Sequence, residues 1–220
     1  MVVAKPKPGD KEPTPEQVER DRATVASWEH YLKGLWASGL RLAESLELWW
    51  DRDDRLCVDL SGEHPMLRIP AECEKGNQDR VSPMAPEFAA FLLATPEAKR
   101  VGPVFNPLAQ RGCVGRLLAH RVGEIVAKIG RTAGVKVASK VVVDCKTGLR
   151  AETVKYASAH DLRRSFGERW AGRLMPTDLM VLMRHESIET TLRYYVGHNA
   201  QATAKTLWDA HKKAAAALSP

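Results

Sequence analysis

No apolar run in the sequence approaches the length of a membrane span, and the N-terminus lacks the apolar h-region of a signal peptide. A cytoplasmic protein with no membrane partner is therefore expected. Cysteine is scarce. Cys57, Cys73, Cys113 and Cys145 stand at wide, irregular spacings, with no Cys-x-x-Cys pair and no histidine at metal-ligand spacing. That pattern argues against a zinc site or a disulfide framework and for free thiols in a reducing compartment. Internal repeats are lacking as well, so no repeat architecture is expected.

What is present suits one sizeable domain. The 220 residues are 44% hydrophobic and 27% charged, enough for a core that needs neither disulfide nor metal. Lysine and arginine outnumber aspartate and glutamate by 33 to 27, a formal charge of +6. Such an excess favours a polyanionic partner, because cations that neutralise phosphates release condensed counterions. Proteins that never touch nucleic acid carry similar charge, so the balance points without deciding.

Residues 1–13 are charged and proline-bearing (Pro6, Pro8, Pro13) and read as a flexible leader or the remnant of a linker, with the catalytic domain over 14–220. Thr14-Pro15-Glu16-Gln17 has the pattern of a capping box with proline in the first turn. It predicts a helix into the mid-thirties, with Val18, Val25, Trp28, Leu32 and Leu35 as its apolar stripe. Gly39 punctuates, and a second helix is expected from Arg41 to about Trp49. RLCVDL (55–60) and PMLRIP (65–70) have the apolar content of short strands, so a small antiparallel sheet is predicted near 55–84. Helices follow from Phe88 to Leu93 and along Val114, Leu117, Leu118, Val122, Ile125, Val126 and Ile129. Residues 135–157 read as a hairpin turning at Lys146-Thr147-Gly148 or as an irregular insert. Helices are predicted again over 158–172, 177–184 and 187–195, with an alanine-rich tail helix from 199 to about 217. Trp28, Trp36 and Trp170 are expected in the core. The fold class is mainly α with a small antiparallel β-sheet.

Two segments carry the chemistry. In SAHDLRRSF, a cap at Ser158 would put His160 and Arg163 three residues apart on one helical face, where N–H groups and the positive end of the dipole favour an anion. An isolated His-x-x-Arg is far more often a solvated helix surface. In LMRHESIETTLRYYVG, His185 lies in a polar break, and Thr190-Thr191-Leu192-Arg193-Tyr194-Tyr195 follows. Paired tyrosines are usually packing residues.

Together the two segments resemble the C-terminal motifs of the tyrosine recombinases, the phage integrase family. His160-Asp161-Leu162-Arg163 matches its H-x-L-R. His185 matches the histidine of L-G-H, and nine residues on, within T-T-x-x-Y, stands Tyr194. The resemblance demands an upstream arginine, supplied by Arg41 with Glu44 three residues later. It also demands a lysine in a K-G-N-x-x-R-x-x-P turn, supplied by Lys75 with Gly76, Asn77, Arg80 and Pro83 in register. The match runs over about residues 30–200. Three features depart from it: Arg184 replaces the glycine before the third-motif histidine, the preceding leucine shifts to Leu182-Met183, and Arg164 stands where a histidine is common. Residues 135–157 have no counterpart in the pattern.

The resemblance implies the tyrosine recombinase catalytic-domain fold, without the N-terminal DNA-clamping domain usual in the family. It also implies a reaction that cuts and rejoins DNA through a 3′-phosphotyrosyl bond. Arg41 and Arg163 would offer planar forks of donors to the phosphate oxygens and His185 one further donor, all matched to the charge of the transition state. Tyr194 would be the nucleophile, His160 its general base and Lys75 the acid that protonates the departing 5′ oxygen. Glu44 would brace a basic residue. No metal or other cofactor is implied. The implied partner is double-stranded DNA, with a monomer alone and a homo-tetramer on DNA, the tail around Leu207 and Trp208 docking on a neighbour. The alternatives are relaxation of DNA like that of a type IB topoisomerase, or a catalytically inactive DNA-binding module.

Overall fold

The computed structural model describes residues 12–73, 79–109, 115–143 and 150–194, with 205, 207–209 and 211–212 of the tail. Most of the expected leader, Lys75 with its turn, and the tip at 146–148 thus lie outside the described residues. The chain forms two compact units, residues 1–167 and 168–220.

The first unit is built on α1 (Pro15–Ser38). Its start is the predicted capping box: the Gln17 N–H donates to the Thr14 hydroxyl, and the Thr14 N–H to the Gln17 side chain at 2.9 Å. Its buried face is carried by Trp28, Tyr31 and Leu35, while Val18, Val25 and Leu32 are only half-buried. Trp36 departs from expectation. It follows Leu35 and so lies about 100° further round the helix, and it is 42% exposed. Trp28 and Tyr31 meet edge to face, and Tyr31 meets Phe105 the same way at 5.6 Å. The Trp28 indole N–H donates to the Leu108 carbonyl at 2.9 Å. The Tyr31 hydroxyl bonds Ser45 at 3.0 Å, and burial pushes its pKa up to about 12.

Next, α2 (Leu42–Leu46) ends well short of Trp49. The chain after it is drawn into backbone pairing on both sides. Trp49 N–H donates to Leu56 and Val58 N–H to Trp49, while Val104 N–H donates to Leu48. These bonds satisfy the backbone in an extended form and leave none for another helical turn.

The sheet lies where it was expected, with strands β1 (Cys57–Asp59), β2 (Met66–Ile69) and β3 (Arg80–Pro83) antiparallel in the order β1-β2-β3. Cys57 is free and buried, and burial pushes its thiol pKa up. Behind the sheet, Phe88 and Leu92 of α3 (Pro86–Leu93) join Leu40, Leu48, Leu67 and Phe105 in the core. Side chains this fully buried contribute about 1.5–3 kcal/mol each relative to exposure.

The long amphipathic helix, α4 (Ala119–Thr132), starts later than its pattern suggested. Arg116 is held by the Leu46 and Phe105 carbonyls, which keeps the preceding chain extended and leaves Leu118 68% exposed. Of the two readings of residues 135–157, the structure takes the hairpin, β4 (Lys136–Val143) antiparallel to β5 (Arg150–Tyr156), which forms a second small sheet. Its base is fixed where Val135 N–H donates to Gly130 and Ala157 N–H to Val135. Gly130 is required there, because a Cβ would collide with the Ala157 carbonyl.

The helix α5 (Ala159–Ala171) follows, its residues from Glu168 counting with the second unit. That unit adds α6 (Pro176–Met183) and α7 (Ile188–Leu192), which pack on one another and bury Leu179, Leu182, Met183 and Thr191. Among the described tail residues, Leu207 and Trp208 are 66% and 65% exposed. Among the described residues, no helix is long and apolar enough to cross a membrane.

Candidate active site

In the first unit, Arg41 stands immediately before α2 in extended conformation. Its backbone N–H donates to Glu44 Oε2 at 2.9 Å and its guanidinium to Oε1 at 2.6 Å. One carboxylate thus holds both ends of the residue, the bracing role expected of Glu44. The Arg41 side chain remains 48% exposed.

Ser158 directly precedes α5, but its hydroxyl does not cap a backbone N–H in the usual sense. It donates instead to Asp161 Oδ2 at 2.6 Å, and the Ser158 N–H donates to the same oxygen at 3.0 Å. Lys155 donates to Oδ1 at 2.7 Å. Burial alone would raise the Asp161 pKa, yet these bonds from Lys155 and Ser158 outweigh it and hold the carboxyl below its ordinary value. The second residue of His160-Asp161-Leu162-Arg163 therefore fixes the start of the helix. His160 is exposed on the first turn.

Arg163 is buried, 5% exposed, and its guanidinium donates to the Gly39 carbonyl. One turn on, the Phe166 ring covers the same glycine so closely that a Cβ on Gly39 would collide with it. Gly39 also has φ 62°, in the left-handed region, as the C-cap of α1. The turn at Gly39 is thus clamped by two side chains of α5. That clamp brings Arg163 onto the short segment that ends at Arg41.

In the second unit, α6 ends in a Schellman motif. Arg184 N–H donates to Val181 and His185 N–H to Met180, each at 3.0 Å. The motif needs a left-handed residue at its turn, and Arg184 fills it with φ 52° and ψ 49°. This is the position where the family pattern carries glycine. Arg184 is the one non-glycine residue of positive φ among the described residues. The motif pins the His185 backbone, and the side chain is pinned in turn: Nδ1 lies 2.9 Å from the Thr191 hydroxyl, with both residues buried. The His185 and Tyr194 rings stack with centroids 5.8 Å apart and planes at 12°. Tyr194 is half-buried.

Of the six residues singled out, Arg41, His160 and Arg163 thus belong to the first unit and His185 and Tyr194 to the second. Lys75 lies outside the described residues. Three further residues carry geometric roles: Gly39, Asp161 and Thr191. Each was visible inside a motif, as a punctuating glycine, as the x of H-x-L-R and as the second threonine of T-T-x-x-Y. Spacing alone gave none of them a partner. Among the described residues, no group of three His, Cys, Asp or Glu side chains could hold a metal ion.

No family model matches the sequence, and no curated protein matches it. Solved structures share its fold. The Tn1549 transposon integrase in complex with transposon right end DNA aligns with a TM-score of 0.50 at 17% identity, over 92% of this chain and 67% of that one. XerA recombinase aligns with a TM-score of 0.50 at 18% identity, over 93% of this chain and 66% of that one. The chain thus spans about two thirds of the length of these relatives. Identities this low speak for the fold, and the helices around an antiparallel sheet agree with it. The fold is that of the tyrosine recombinase catalytic domain.

Proposed function

We propose that the protein cuts and rejoins double-stranded DNA at specific sites through a 3′-phosphotyrosyl intermediate. The observation that carries this reading is the His185–Tyr194 pair. A histidine fixed by its backbone and by the contact of its Nδ1 with the Thr191 hydroxyl stacks on the tyrosine nine residues later. The stack sets a histidine beside the tyrosine at the nine-residue spacing that the family pattern gives its phosphate donor and its nucleophile.

In this reading the Tyr194 oxygen attacks phosphorus and the bond to the 5′ oxygen breaks. An ordinary tyrosine has a pKa of about 10 and is a weak nucleophile at neutral pH, so its proton must have an acceptor. His160, exposed at the start of α5, takes that role directly or through water. Arg41 and Arg163 donate to the non-bridging oxygens, where charge grows as the tyrosine attacks. Their bracing by Glu44 and by the Gly39 carbonyl limits the reorganisation needed during the reaction. Lys75 gives a proton to the departing 5′ oxygen. Attack by another 5′ hydroxyl reverses the step without ATP, since the phosphodiester energy is kept in the covalent bond. A tetramer on paired duplexes, with the tail docked on a neighbour, is the assembly in which exchange would occur.

The test is a nicked suicide duplex built from DNA flanking the gene, resolved on a denaturing gel. Wild type should form a covalent adduct and Tyr194→Phe none. An adduct that survives Tyr194→Phe and disappears in Tyr195→Phe would move the nucleophile by one residue. A wild-type protein that nicks DNA without any adduct would contradict the reaction class.

A further inference from the structure

The β4–β5 hairpin is outside every motif that carries the proposed function, and its chemistry is distinctive. All side chains described on β4 are exposed, including Val137 and Val141 at 41% and 65%. Its described residues carry Lys136, Lys140, Arg150 and Lys155 against one carboxylate, Glu152. Between the hairpin and the end of α4 runs an open groove of 540 Å³. Arg131, Lys140 and Lys155 line it beside the hydroxyl-bearing Ser139, Thr153 and Tyr156, and no carboxylate does. Lys155 is committed to Asp161 at 2.7 Å. Arg131 and Lys140 are exposed, and among the described residues neither forms an ion pair.

The groove wall itself is mostly apolar, and the charge sits on the exposed ribbon and at the groove's rim, where Arg131 and Lys140 form no ion pair among the described residues and can donate to phosphate oxygens. Its openness and its place on an exposed two-stranded ribbon suit an extended polyanion better than a small anion. A two-stranded ribbon is also of a size that duplex grooves admit. We propose that the β4–β5 ribbon and Arg131 form an additional, sequence-independent contact with the phosphate backbone of duplex DNA. Among the described residues, none of the six proposed to act on the scissile phosphate lines this groove. The inference rests on the reading of the protein as a DNA-cutting enzyme, and it adds that this insert lengthens the bound stretch of duplex. Arg131 and Lys140 are the two contacts free to act, each neutralising one phosphate.

The test needs no target site, because backbone contacts show in non-specific binding. Fluorescence anisotropy with a labelled duplex of arbitrary sequence would be followed in KCl between about 50 and 200 mM, for wild type and for the Arg131→Gln/Lys140→Gln variant. Losing two phosphate contacts should flatten the slope of log K against log salt by about 1.8, with weaker binding at low salt and unchanged thermal unfolding. The control is Arg20→Gln/Lys99→Gln, two exposed cations elsewhere. An unchanged slope in the ribbon variant would overturn the proposal, as would an equal change in the control, which would assign the effect to net charge. A normal slope with altered self-association by light scattering would give the ribbon to a protein partner instead, and also overturns it. If wild type itself fails to bind duplex DNA, the functional reading fails too, which separates the two failures.

Discussion

Replacing Thr191 by valine removes one hydroxyl and keeps the side-chain shape, so it isolates the contact that fixes His185. Thr191 is fully buried and His185 is 9% exposed, so water has little access to the freed ring nitrogen. The 2.9 Å bond to Nδ1 is then lost. A buried polar atom deprived of a partner costs about 1–3 kcal/mol. Thermal unfolding of a chain this size should shift by about 2–4 °C per kcal/mol. The proposed reaction needs Nε2–H to donate to phosphate, and in the neutral ring that tautomer leaves Nδ1 to accept from the threonine hydroxyl. Long-range ¹H–¹⁵N spectra should therefore show the Nε2–H tautomer in wild type and a mixture in Thr191→Val. Cleavage should slow by about 10-fold or more while DNA affinity holds, since a misaimed donor weakens the transition state more than binding. Thr191→Ser, which keeps the hydroxyl, should restore the tautomer. An unchanged tautomer and unchanged rate in Thr191→Val would show that the threonine does not orient His185.

Gly39→Ala should destabilise the protein by more than 2 kcal/mol in urea unfolding, since it combines left-handed strain with a collision on Phe166. Cleavage should fall with it, because the Gly39 carbonyl holds Arg163. At Arg184, the glycine variant should be more stable than the alanine variant by about 1 kcal/mol, the reverse of the order inside a helix. Equal stabilities would argue against the left-handed cap. Asp161 has a depressed folded-state pKa, so its contribution is present above the unfolded carboxyl value near 4 and is lost as pH falls through the lower folded value. Wild-type stability should therefore drop below about pH 4, and Asp161→Asn should be less stable at neutral pH with a shallower acid decline. A parallel acid profile in the variant would remove Asp161 from the account.

The elements legible in the sequence were those whose local chemistry and tertiary setting agree. The Thr14–Gln17 box set the start of α1, and the β1–β2 strands stood between clear turn residues. Where long-range bonds decide, local pattern misled. The helix expected to reach Trp49 stops at Leu46, because residues 48–50 pair with chain from 56–58 and 102–104. Trp36 and Leu118 read as apolar anchors, yet each sits just off the buried arc of its helix or before it. The candidate site was legible as residue types at fixed spacing. Its supports were not: that Arg163 rests on Gly39, or Thr191 on His185, depends on how α5 crosses the bend after α1 and how α7 folds back on α6. The Arg184 departure was visible as a missing glycine, and its meaning came only with the backbone angles of the cap.

The proposed reaction stands or falls on a covalent bond between DNA and Tyr194. The most direct measurement is mass spectrometry of the adduct trapped on a suicide duplex, after nuclease and trypsin digestion. The peptide that begins Tyr194-Tyr195 should carry a nucleotide mass, with fragmentation placing the phosphate on Tyr194. A phosphate on any other side chain, or cleaved DNA with no modified peptide, would contradict it.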